Sequence, residues 1–221
     1  VLRYLTEHAT RKTITEKLMK LLIATNNLNK VQELREILAD PPLAITTPAQ
    51  EGLTLDPEEN GTTFEENAII KAQAFAQASG LLTLADDSGL EVDALGGEPG
   101  VYSARYGGTA KDDHAGRNRL VLDKLAALNV PWPERTGRFR CVIALATPEG
   151  LLGTVEGVVE GYIAYEPKGS NGFGYDPIFF VPEFNQTLGE APSPQKHSIS
   201  HRGRAARAAG LLIAQFVNRQ A

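Results

Sequence analysis

Apolar and polar positions alternate between two periods along this chain, and the changes of period mark out its elements. "KLLIAT" at 20–25 is a short apolar run of the kind that forms a buried strand. "NNLN" follows as a turn, since asparagine tolerates turn conformations and caps helices. "KVQELREIL" then sets Val31, Leu34 and Leu38 at helical spacing. "LAITTP" reads as a second strand. The clearest helix is "TFEENAIIKAQAFAQASG" at 63–80. Thr63 and Glu66 form a capping box, Phe64, Ala68, Ala72 and Phe75 make a stripe, and Gly80 ends it.

"LLTLAD" at 81–86 is strand-like, with Ser88-Gly89 read as a turn. A helix is expected over 111–128 in spite of Gly116, then period-two alternation in "RFRCVIALA", a "PEG" turn and the return arm "LLGTVEGVVEGYIAY". "SHRGRAARAAGLLIAQFV" closes the chain as a helix. Strand and helix alternate first and a hairpin follows, which predicts an α/β fold with a mixed sheet.

Composition narrows the classes. The chain has 221 residues, 42% hydrophobic, so one domain or two small ones with a real core are expected. Its 22 Lys+Arg stand against 27 Asp+Glu, a formal charge of −5. That argues against general nucleic-acid binding, and a polyanionic ligand would need local cations or a metal. The single cysteine, Cys141, lies in an apolar strand and reads as an inert buried thiol. The four histidines lack zinc-ligand spacing. No segment has the apolar length of a membrane span, and the charged N-terminal stretch does not read as a secretion signal, so a cytoplasmic protein is expected. Met19, the only methionine, stands before the first strand, and residues 1–18 are read as a partly disordered extension.

Four stretches carry candidate chemistry. In "ATNNLNK" a strand gives way to a helix whose free N–H groups suit phosphate, and Lys30 is unfavourable there unless an anion is near. In "LADDSGL", Asp86 and Asp87 point to opposite faces if the strand persists, so one can face a cleft and hold a hard cation such as Mg²⁺. The pair can equally cap the next turn. Asp56, Glu58 and Glu59 lie upstream on an acidic loop, and Asn67 and Lys71 share a helix face as a surface pair or a phosphate contact. "EPKGSNGFGYDPIFF" interleaves glycines with Phe173 and Tyr175, either a stacking platform with Asp176 accepting from a base or a hairpin loop plugged by aromatics. "KHSISHRGR" places His201 and Arg202 in a first helical turn, where cations oppose the dipole unless acids or an acceptor-rich ligand meet them.

Together, "ATNNLNK", "GTTFEENA", "ADDSGLEVDALGGEPGVYSARYGG", "GFGYDPIF" and "K…SHR" resemble the inosine/xanthosine triphosphate pyrophosphatases, from about Lys20 to the last helix. The resemblance implies one elongated, two-lobed α/β unit over 19–221, built around a long mixed sheet, with the site in the cleft between the lobes and a homodimer as the usual assembly. It implies Mg²⁺-dependent hydrolysis of ITP, dITP or XTP to monophosphate and pyrophosphate, with no nucleic-acid or membrane partner. By position, Asp87 is the catalytic acid residue and a metal contact, supported by Asp86. Glu58, or its neighbour Glu59, assists the metal. Thr25, Asn26, Asn27, Leu28, Asn29 and Lys30 match the triphosphate turn, and Ser88 a substrate contact. Phe173, Gly174, Tyr175 and Asp176 match the base-and-sugar loop, and Lys196, His201 and Arg202 the base-recognition end. A non-catalytic nucleotide-binding module and a hydrolase of other modified nucleotides are the alternatives.

Overall fold

The apolar runs pair into one mixed seven-stranded sheet in the order β2-β1-β3-β4-β5-β6-β7 (β1 Lys20–Ile23, β2 Ala44–Thr46, β3 Leu82–Val92, β4 Thr136–Thr147, β5 Gly150–Ile163, β6 Phe179–Val181, β7 Gln186–Thr187). The structure, a computed structural model, describes residues 19–38, 43–110 and 112–220. The extension read over 1–18 lies outside them. β1 pairs in parallel with β2 and β3, and every pairing from β3 to β7 is antiparallel.

Among the described residues five α-helices flank the sheet: α1 Leu28–Ile37, α2 Phe64–Ser79, α3 His114–Ala127, α4 Ser193–Ile199 and α5 His201–Gln220. The capping box of α2 forms as its sequence predicts, with Thr63 Oγ1 accepting from Glu66 N and Gly80 closing the helix at φ 70°. Helix α4 starts at two prolines, Pro192 as its N-cap and Pro194 in its first turn, where a proline has no intrahelical N–H to lose. Among the described residues no helix is long and apolar enough to cross a membrane.

The long strands β3, β4 and β5 carry separate cores along their length. At the start of β3, Leu84, Ile143, Leu34 and Ile213 pack one face against α1 and α5. Ala85, Ala144, Phe64 and Phe75 pack the other face against α2. At its end, Leu90, Val92, Phe139 and Phe179 form a third core with α3. Residues 86–89 lie between the first two cores and the third.

The Ser88-Gly89 turn expected there is not formed. β3 runs through to Val92, with Asp87 opposite Val142 and Gly89 opposite Arg140. Gly89 serves close approach rather than turning: a Cβ would meet Ser103 Oγ and come within 2.6 Å of the Gly100 carbonyl. The segment 100–108 therefore lies directly against β3, and Ser103 Oγ accepts from Leu90 N at 2.9 Å.

Candidate active site

Because β3 stays extended, its two aspartates part company. Asp86 faces α1 and α5. Its Oδ2 lies 2.9 Å from Lys30 Nζ and 3.3 Å from both Nε and Nη2 of Arg202. Asp87 faces α2, accepting from Lys71 Nζ at 3.2 Å and Asn67 Nδ2 at 3.3 Å. Lys71 also reaches Glu59 at 3.3 Å. Asn67 and Lys71 are therefore buried partners of Asp87, not a surface pair.

A cleft of about 460 Å³ opens beside these residues. Asp87 and Ser88 line it, with Thr25, Asn26, Asn27, Asn29 and Lys30 on one wall and Glu59 and Lys71 on another. Two expected residues do not belong there. Leu28 turns its side chain to solvent, 80% exposed. Glu58 is exposed while Glu59 lines the cleft, so the loop register favours Glu59.

The turn before α1 is partly self-satisfied. Asn27 Oδ1 accepts from Asn29 N and Lys30 N, and Thr25 Oγ1 accepts from Asn27 N. The anion that permits Lys30 near a helix N-terminus is Asp86.

At the far end of the cleft, Phe173 shows its ring with Lys196 Nζ 5.1 Å and the Arg202 guanidinium carbon 5.4 Å from its centroid. The glycine-rich loop does join the antiparallel strands β5 and β6, as a hairpin loop would. Tyr175 buries its ring and donates to the Ser103 carbonyl at 2.9 Å, which ties this loop to segment 100–108. Asp176 accepts from Phe173 N at 2.7 Å and Lys196 Nζ at 2.6 Å. Its carboxylate holds the loop and the lysine together.

Lys196 on α4 and Arg202 on α5 are matched by acids, whereas Arg204 and Arg207 donate to backbone carbonyls. Glu33 on α1, unmarked by any motif, receives Lys196 at 2.7 Å and Arg202 at 2.6 Å. Asp86, Glu33 and Ser88 together occupy four of the five N–H groups of Arg202. His201 lies parallel to Phe139 at 4.6 Å and lines the cleft, its Nδ1 buried without a hydrogen-bond partner. Ser200 Oγ accepts from Gly203 N at 3.0 Å and so caps α5.

Residues 21–210, which contain every part of this cleft, match the profile of the Ham1 family. The chain belongs to the Ham1 family. It is 53% identical over 187 residues to a protein of Desulforamulus reducens named dITP/XTP pyrophosphatase, a match covering 85% of the chain and 92% of that relative. A Bacillus subtilis protein of the same name is 51% identical over 181 residues, covering 82% and 90% respectively. Among solved structures, a HAM1 protein from Coxiella burnetii superposes with a TM-score of 0.80 at 40% identity, covering 90% of the chain and 100% of that one. The Staphylococcus aureus Ham1 protein gives 0.78 at 40% identity, covering 89% and 98%.

In this Ham1 chain the two aspartates also differ electrostatically. Burial would raise the pKa of Asp86, but Lys30 and Arg202 outweigh it and hold the carboxyl well below its usual range. At Asp87 burial prevails over Lys71 and Lys30, and the pKa is raised. Glu33 is lowered: burial opposes ionisation, but Arg202 and Lys196 more than offset it. Burial, then Arg202 and Lys196, push His201 well below its ordinary value, so the imidazole is neutral in the first turn of α5.

Lys30, Arg202 and Lys196 thus meet Asp86, Glu33 and Asp176 in one balanced buried network. This network ties the first turn of α1 to α4 and α5. Its balance leaves the aromatic end of the cleft without excess charge. Asp87, in contrast, is poised at the opposite side with a raised affinity for a proton.

Proposed function

We propose that this chain hydrolyses the non-standard purine nucleoside triphosphates ITP, dITP and XTP between the α- and β-phosphates, releasing monophosphate and pyrophosphate. The observation that carries this reading is the asymmetry of one cleft. Lys30, Lys71 and Asp87 stand at one part of it, and the Phe173 ring stands at the other, beside Lys196 and Arg202. A flat base suits the aromatic end. At the other end the ammonium groups of Lys30, beside Asp86, and of Lys71, beside Asp87 and Glu59, can turn to phosphate once Mg²⁺ offsets the carboxylates. The names of the Desulforamulus reducens and Bacillus subtilis relatives point to two of these substrates, dITP and XTP.

In this reading Lys30 and Lys71 offset charge on the phosphates so that water can approach. Asp87, which lines the cleft beside Lys71, orients that water and accepts its proton. Phe173 stacks the base. The free N–H of Arg202 and the Lys196 ammonium face O6, where adenine has an amino group. Donor would then meet donor, a mismatch able to discriminate by about 10⁴.

The donor set fits Mg²⁺. Asp87 and Glu59 both lie within 3.3 Å of the Lys71 ammonium, so two hard carboxylates converge on one small volume. Among the described residues there is no cluster of three or more His, Cys, Asp or Glu able to hold a metal alone. Mg²⁺ commonly binds through one or two carboxylates plus substrate phosphates and water. When bound there, it would supply charge neutralisation for the phosphates.

The reading includes residues 19–221 acting as one two-lobed unit, a homodimer in the cytoplasm, and no nucleic-acid partner. An assay of ITP, dITP, XTP, dATP and dGTP with Mg²⁺ tests the reaction. Pyrophosphate and monophosphate from the first three, with little from the last two, is expected. Orthophosphate with a diphosphate product, or equal rates on all five, would overturn it.

A further inference from the structure

Where α3 meets the cleft stands a histidine outside both the phosphate turn and the charge network. His114, the first residue of α3, is half-buried and lines the cleft. Its Nδ1 lies 2.6 Å from Nη2 of Arg117. A guanidinium only donates, so Nδ1 is the acceptor and the ring carries its single proton on Nε2. Burial, and then Arg117, hold the His114 pKa below its usual value, which keeps that tautomer neutral.

Arg117 is a fixed post for this ring. It is buried, and its Nη1 donates to the Ala110 carbonyl at 2.6 Å. The Nε2 edge of His114 has no partner among the described residues and is not one of the buried unpaired atoms. The ring centroid lies 6.4 Å from that of Phe173, with the planes inclined at 57°. An uncharged ring whose Nε2–H is unused therefore lines the cleft next to Phe173, where a base rather than a phosphate is expected.

We propose that His114 is a specificity-determining residue, whose Nε2–H donates to a carbonyl acceptor of the purine seated on Phe173. The proposal rests on the nucleotide reading of the cleft. A neutral donor suits this end, because a further cation would draw phosphate into the base site. Against adenine, an N–H meeting the 6-amino group would leave both donors unanswered.

Steady-state kinetics of wild type, H114F and H114Q on ITP and ATP with Mg²⁺ test it. H114F keeps a flat ring and removes the donor. Its KM for ITP should rise about three- to tenfold with kcat within about twofold, and its preference for ITP over ATP should fall accordingly. H114Q retains an N–H donor and should recover part of that loss. If H114F does not fold, H114A carries the same comparison.

Unchanged KM and preference in H114F, or equal losses in H114F and H114Q, would overturn the proposal while wild type turns over ITP. Failure of wild type itself to turn over ITP would overturn the nucleotide reading, and the proposal with it.

Discussion

Asp86→Asn and Asp87→Asn alter neighbouring residues of one strand and are predicted to fail in opposite ways. The Asp86 side chain has no solvent exposure and faces Lys30 and Arg202. Its amide isostere removes one of three carboxylates from a balanced buried network, leaving an uncompensated cation. Breaking such a pair costs about 3–5 kcal/mol. For a chain of this size that is a fall in Tm of roughly 6–20 °C. At Asp87, burial already disfavours the anion. The Asp87→Asn protein would forfeit one hydrogen bond of about 1 kcal/mol, and Lys71 would keep Glu59. Its Tm should stay within about 4 °C of wild type while turnover drops by orders of magnitude.

The assay is thermal and urea unfolding of the three proteins beside initial rates with ITP. The pH dependence separates them further. The lowered pKa of Asp86 gives stability that is present above the unfolded value of about 3.9 and lost as pH falls through the folded value. The wild-type advantage over Asp86→Asn should therefore shrink in acid. Asp87 is raised, so its contribution to stability declines as pH rises from the unfolded value through the folded one. Equal destabilisation by the two substitutions, or an Asp86→Asn protein melting like wild type, would refute the reasoning.

Three further outcomes are expected. Arg202→Lys keeps the charge but cannot span Asp86, Glu33 and Ser88 together; it should lower stability by about 2 kcal/mol in urea titrations and reduce the preference for ITP over ATP. Glu59→Gln should raise the Mg²⁺ concentration needed for half-maximal rate several-fold, whereas Glu58→Gln should leave it unchanged; chelation of Mg²⁺ should abolish turnover in every variant. Gly89→Ala drives a methyl group against the Gly100 backbone carbonyl and should cost about 1–3 kcal/mol or more, read as a lower Tm with a lower folded yield.

The parts of this fold that are legible in the sequence are those governed by local rules. The α2 helix announces itself through Thr63, Glu66 and Gly80, each acting within a turn of its own position. The second half of β3 does not. Asp86, Asp87 and Ser88 interrupt the apolar pattern because their compensation comes from Lys30, Lys71 and Arg202, on three helices. Glu33 is invisible for the same reason: its partners, Lys196 and Arg202, are 163 and 169 residues away. A clue exists, since unopposed cations at the start of α5 demand acids. The segments β6 and β7 are only three and two residues long, too short for a period to show. The motif resemblance identifies Asp87 and Phe173 as parts of one site, but the choice between Glu58 and Glu59 needs a loop placed against Lys71.

The central claim is that one nucleotide lies along the cleft, phosphates by Asp87 and base by Phe173. A crystal structure of the Asp87→Asn protein with ITP and Mg²⁺ measures this directly. Hypoxanthine stacked on Phe173, with the triphosphate reaching Lys30 and Lys71, is the expected result. A triphosphate lying against Lys196 and Arg202, with the base beside residue 87, would contradict it.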